Sequence, residues 1–140
     1  MTDLAPELLD RIQGSLKQLQ NACHANSEAK GFWAKDRAVL AAVDGGTPTD
    51  LNAHAKLLII STKIALMHSE LSEALEGMRT GNGPSDKLHE FGLTQMEEEL
   101  AYVVVRAFDL SGEFGWDLGR AIIKKMGYNS KREYLHGKKF

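Results

Sequence analysis

Residues His68–Arg79, HSELSEALEGMR, set Glu70 and Glu73 three positions apart inside a run of good helix formers. At about 100° per residue, Leu66, Met67, Leu71, Ala74, Leu75 and Met78 sweep one broad sector, with Glu70 inside it and Glu73 at its edge. Ser69, Ser72, Glu76 and Arg79 take the opposite side. An unpartnered carboxylate aimed into an apolar sector is costly. The segment beginning near Gln95 repeats the anomaly. Glu97 and Glu98 point away from its stripe of Met96, Leu100, Val103, Ala107, Leu110 and Phe114, whereas Glu99 sits at the stripe's edge. Antiparallel packing through the two stripes brings Glu70, Glu73 and Glu99 to one seam. Converging carboxylates repel, and either protonation of one or a bound cation relieves them. All-oxygen ligands suit Mg²⁺ or Mn²⁺. Such ions share coordination with phosphates and activate water, so a nucleotide is the expected substrate class. The plain alternative is a solvated helix pair whose glutamates do no chemistry.

The elements that must position these acids are helical. Leu4, Leu8, Ile12, Leu16 and Leu19 mark an amphipathic first helix that fades near His24 to Lys30. GFWAKDRAVLAAVDGGTPTD, with turn signals at its C-terminal end, is expected to be irregular. Asp50 or Asn52 is placed to cap a long helix from about Asn52 to Thr80, and GNGPSDKLHEFG reads as a loop. Thr94 and Glu97 form a capping box for the next helix. Its valines alone suggest a strand, but the apolar spacing is helical, and spacing outranks propensity. A last helix starts near Asp117, weakens at Gly127 to Ser130 and leaves a polar tail. The expectation is an all-α antiparallel bundle of four to five helices in one domain over 1–140. Residues 1–50 supply an N-terminal helix and loop, and 51–140 the helices that bind metal and phosphate.

Composition narrows the setting. The 140 residues are 43% hydrophobic and 26% charged, ordinary for a protein with one core and not for disorder. A formal charge of −2 gives no general attraction for nucleic acid, so nucleic acid is not an expected partner. Cys23 is alone, which excludes a disulfide framework within the chain and a cysteine zinc site. MTDLAPELLDRIQ lacks the basic flank and apolar run of a signal peptide, and no stretch approaches a membrane span. A cytoplasmic protein is expected, with no membrane partner.

The segments SELSEALEGMR, EEELAYVVVRAFDLSGEFGWDL and KKMGYNSKREYLHGKKF resemble the all-α nucleotide pyrophosphohydrolases of the MazG-like superfamily, especially its short phage and bacterial members. The resemblance covers roughly Ala55 to Phe140, and the GFW element at Gly31 to Trp33 fits those members too. It implies Mg²⁺ or Mn²⁺ held by an ExxE and an ExxD, with hydrolysis of a (d)NTP to the monophosphate and pyrophosphate. By resemblance Glu70, Glu73 and Glu99 are the catalytic metal ligands, with Glu98 a further candidate. A homo-oligomer, dimer or tetramer, follows from the family and from apolar helix surface that one thin layer leaves uncovered. Some short members prefer guanine nucleotides; one such group, MazZ, supplies dGMP for phage genomes that replace adenine by 2-aminoadenine. The resemblance therefore implies a (d)GTP preference in a phage-type enzyme of the host cytoplasm.

The fourth ligand position departs from the pattern. Tyr102 stands where the family has Asp, and a phenol with an ordinary pKa near 10 is a poor Mg²⁺ ligand. Three readings stay open: activity with three carboxylates, helped by Glu98 or by Asp109 two turns on; an altered metal arrangement and substrate choice; and a catalytically degenerate nucleotide-binding or assembly module. On a continuing helix Lys125, Asn129 and Arg132 share one face and offer two cations and an amide to phosphate; Lys138 and Lys139 are weaker candidates. The family's KxxxN phosphate contact corresponds to Lys125 and Asn129. Arg106 is placed to pair with a carboxylate and orient it. Phe32 and Trp33 are candidates for stacking on a base, Trp116 is expected in the core, and the five histidines are expected to be solvated.

Overall fold

The structure is a computed structural model that describes residues 5–44, 49–81 and 92–133. These form five α-helices and no β-strand: α1 (Pro6–Ala29), α2 (Ala34–Asp44), α3 (Thr49–Arg79), α4 (Gln95–Glu113) and α5 (Leu118–Asn129). The loop expected at GNGPSDKLHEFG and the tail beyond Glu133 lie mostly outside the described residues.

Local chemistry accounts for most boundaries. Pro6 opens α1, where its missing N–H is one the helix leaves unpaired anyway. After α1, Gly31 adopts φ 77° and turns the chain. Thr94 and Glu97 form the expected capping box: Thr94 Oγ1 accepts from the Glu97 N–H at 3.1 Å, and Glu97 accepts from the Thr94 N–H at 2.8 Å. Asp117 caps α5 by accepting from the Arg120 N–H at 2.9 Å. Two expectations are corrected. The segment after Trp33 is not irregular throughout, because AKDRAVLAAVD holds neither Gly nor Pro and forms the eleven-residue α2. Arg132 does not share a continuing helix with Lys125 and Asn129 either, because α5 ends at Asn129 with Ser130 as its C-cap, within the weakening expected over Gly127 to Ser130.

α4 is the central element, packed on α3 and on α1; α2 rests against α3, and α5 against α1. The start of α4 meets the end of α3, where Gln95 Nε2 donates to the Glu73 carbonyl at 3.2 Å. Leu110, near the far end of α4, packs with Ile59 early in α3, so the two run antiparallel. Trp33, Ile59 and Leu110 form the buried cluster, with Leu40, Ile60, Met67 and Phe114 around it. Gly112 lets α1 and α4 approach, for a Cβ there would lie 2.6 Å from His24 Cβ. Gln20, with 0% exposure, donates from Nε2 to the Trp116 carbonyl at 2.7 Å and accepts from the Leu118 N–H at 3.1 Å. That clamp ties the turn between α4 and α5 to α1. Among the described residues no helix is long and apolar enough to cross a membrane.

Candidate metal centre and adjoining cavity

Antiparallel packing of α3 on α4 brings together the three acids picked out by helical angle. One carboxylate oxygen from each of Glu70, Glu73 and Glu99 falls within 4.8 Å of the others. Glu70 and Glu99 are buried, and Glu73 is exposed. Ser69 Oγ donates to Glu73 at 3.2 Å. Arg106, two helical turns beyond Glu99, donates from Nε to Glu70 Oε1 at 2.7 Å and reaches the same oxygen through Nη2. Burial pushes the Glu99 carboxyl up to about 7, reinforced by a hydrogen bond with Glu70 and the charges of Glu73, Glu70 and Glu98. Near neutrality Glu99 therefore holds a proton much of the time. Glu98 stands outside the group of three, half-buried, and acts on it through charge.

Beside the acids lies a cavity of about 410 Å³ whose walls include Asn26, Phe32, Lys63, Tyr102, Arg106 and Asp109. Arg106 belongs to both, pairing with Glu70 and lining the cavity, so acids and cavity are contiguous. Tyr102 and Phe32 are exposed at the opening, Phe32 to 67%.

The second half of α4 overturns several expectations. Asp109 Oδ1 accepts from Trp33 Nε1 at 2.7 Å and lies 2.8 Å from His24 Nδ1. A carboxylate only accepts, so His24 Nδ1 carries the hydrogen. Asp109 is thereby engaged by α1 and the GFW element rather than held in reserve for a metal. His24 is part-buried rather than solvated, with Nε2 3.4 Å from Glu113 Oε2. Arg37 donates to both Glu113 oxygens, at 3.0 and 2.6 Å, and also to Glu28, whose carboxyl that hydrogen bond holds below its usual range. Trp33, at 1% exposure, is no platform for a base. Lys63 Nζ sits 4.1 Å above its ring, and His24 and Phe114 meet it edge-on. Trp116 is half exposed instead of in the core, stacked on Phe114 at 5.3 Å.

Lys125 on α5 and Arg132, three residues past its end, converge on the Tyr128 ring, at 5.4 and 5.9 Å from its centroid. Asn129 Oδ1 is buried without a hydrogen-bond partner. Lys125 and Asn129 ride on a helix whose main support is α1, and Arg132 lies beyond its end. Lys138 and Lys139 lie outside the described residues. His24, Asn26 and Lys63 carry no local sequence signal, because their partners are set by tertiary packing; His24 meets Asp109 across 85 positions. Comparison with protein-family models, curated proteins and solved structures found no match for the chain.

Proposed function

We propose that this chain is a metal-dependent nucleotide pyrophosphohydrolase of MazG-like type that hydrolyses a (d)NTP, with (d)GTP the favoured substrate, to the (d)NMP and pyrophosphate as a homo-oligomer. The observation that supports this most is the convergence of Glu70, Glu73 and Glu99 beside a cavity of about 410 Å³, within the size range of small-ligand sites. The donor set fits a hard cation. Three carboxyls face one guanidinium, and Glu99 otherwise relieves the surplus of negative charge by keeping a proton. Mg²⁺ or Mn²⁺ at these residues supplies charge neutralisation for the phosphates and a more acidic water.

The chain's own groups divide the remaining work. Glu73, the exposed member, is the general base that takes the proton of the attacking water. Arg106 is placed to lend its free donors to a phosphate while holding Glu70 in line. Phe32 offers a face to the base. Lys125 and Asn129 serve the phosphates by resemblance, with Arg132 a weaker candidate beside them. Tyr102 leaves the centre with three carboxylates.

One observation favours a second reading, a degenerate nucleotide-binding or assembly module: Arg106 already satisfies Glu70 without a metal. Mixing the purified protein with Mg²⁺ and a panel of triphosphates, then assaying monophosphate and pyrophosphate, separates the two. Pyrophosphate release, fastest from a guanine nucleotide, supports the enzyme. Orthophosphate in place of pyrophosphate indicates stepwise phosphatase action. No turnover and no Mg²⁺ binding supports the module.

A further inference from the structure

Tyr102 stands between the two parts of the site. At about 100° per residue, Glu99, Tyr102, Arg106 and Asp109 fall on one side of α4, so the phenol follows Glu99 by one turn and precedes Arg106 by one. Its ring lines the cavity and is 48% exposed. Phe32, from the turn between α1 and α2, lines the same mouth. The other described aromatic side chains are occupied: Trp33, Phe114 and Trp116 meet another ring, Tyr128 meets two cations, and Phe108 is buried. Among the described residues Tyr102 and Phe32 are exposed aromatics with neither a ring nor a cation against them, and the Tyr102 hydroxyl has no hydrogen-bond partner. Two large aromatic faces left to water at one cavity mouth forgo the burial such side chains ordinarily find.

The walls select the class of ligand. Leu66 and Val105 are apolar, while Asn26 and Ser27 add an amide and a hydroxyl that have no side-chain hydrogen bond among the described residues. Apolar and aromatic faces with hydrogen-bonding groups beside them suit a flat ring that is apolar on its faces and polar at its edge. An alkyl chain would leave the amide and the hydroxyl unpaired. We infer that Tyr102 is a ligand-binding residue that, with Phe32, stacks on a heteroaromatic ring at the cavity mouth. The position at which the resembled family places a metal-binding carboxylate thus serves the ring of the ligand. This rests on the nucleotide part of the functional reading and adds a residue to it. Every base has a face, so stacking supplies affinity and favours two-ring over one-ring bases, whose overlap is smaller. Choice among bases of one size falls to the edge contacts at Asn26 and Ser27.

Guanosine, which carries no phosphate and needs no metal, is the probe. Added at millimolar concentration to the full chain with carbon-13 in its tyrosine rings, it is expected to move the Tyr102 ring resonance upfield and to leave that of Tyr128 in place. The Tyr102 resonance is identified by its loss in Tyr102→Phe. Ribose phosphate, which has no aromatic ring, is expected to move neither. Tyr102→Ala, at an exposed helix position that alanine suits, is expected to keep its circular dichroism and to bind guanosine roughly 10-fold more weakly or worse, with Mg²⁺ affinity in calorimetric titration unchanged. Phe32→Ala weakens guanosine likewise, and Tyr102→Phe, which keeps the ring, does not. A Tyr102 resonance that guanosine leaves in place overturns the inference. So does a Tyr102→Ala protein that binds guanosine as the parent does, or one that loses Mg²⁺ affinity as steeply as guanosine affinity. Turnover separates the two readings. Guanosine bound through Tyr102, with no pyrophosphate released from any triphosphate, keeps this inference and sinks the enzyme. Pyrophosphate release by Tyr102→Ala at the KM of the parent sinks this inference and keeps the enzyme.

Discussion

The two halves of α4 both present carboxylates, and they are provisioned in opposite ways. At Glu99 three carboxyl groups come together and a guanidinium pairs with one of them, Glu70, and the surplus of negative charge is met by a proton. Three to four turns on, Asp109 and Glu113 are met by a tryptophan N–H, a histidine and an arginine. A carboxylate with matched donors is a structural tie, because its desolvation is offset by its own hydrogen bonds. A group of carboxylates short of donors is a place where something else can bind. The difference separates scaffold from site without reference to any relative.

The contrast breaks most sharply at Glu70. Glu70→Gln keeps the shape and removes a charged ligand, so turnover is expected to fall on the order of 1,000-fold, with the melting temperature little changed. If the variant binds Mg²⁺ as the parent does in calorimetric titration, Glu70 is a salt-bridged core residue and the metal reading fails. Asp109→Ala should do the reverse. It strands the Trp33 and His24 donors in a part-buried site, costing about 2 to 4 kcal/mol, visible as a lower urea midpoint. An Asp109→Ala protein as stable as the parent would remove the distinction drawn between the two halves.

The pH response sharpens it. Glu99 keeps its proton in the folded chain where the unfolded chain has lost it. Without metal, stability should therefore decline as pH climbs from about 4.5 to about 7. The loss is a few kcal/mol at most. Over the same window Mg²⁺ affinity should rise, since the ion displaces that proton. Glu99→Gln should flatten the stability decline; an unchanged slope would assign it elsewhere. The smallest effect belongs to Tyr102. Tyr102→Phe loses at most one hydrogen bond, about 0.5 to 1.5 kcal/mol, whereas Tyr102→Asp should tighten Mg²⁺ binding by adding a carboxylate. Weaker binding in Tyr102→Asp would show that this position does not face the ion.

How much of this was legible depended on the range of the interaction. Helix angle alone singled out Glu70, Glu73 and Glu99, because both stripes had to face each other and the acids lay at their edges. The Thr94 cap was legible for the same reason, being complete within four residues. α2 was obscured by the Gly-Gly and Thr-Pro signals after it, which mark where a helix ends and say nothing of what precedes them. Asp109 shares a helical angle with Tyr102, which suggested a metal role. Its true partners sit on α1 and beside α2, and no periodicity within α4 announces them. Trp33 and Trp116 exchanged expected places, since an aromatic residue next to a turn can face either way until the neighbouring helices are set.

The Gln20 clamp joins residues 96 and 98 positions apart, which has a consequence for the order of events during synthesis. α1 leaves the ribosome with an amide whose partners, the Trp116 carbonyl and the Leu118 N–H, are made nearly a hundred residues later. Until then its buried face has nothing to close on, and the entropy of closing so long a loop is overcome only when the rest of the chain is present. This protein is therefore expected to reach its native packing after translation of the turn at Trp116, all at once, rather than helix by helix from the N-terminus.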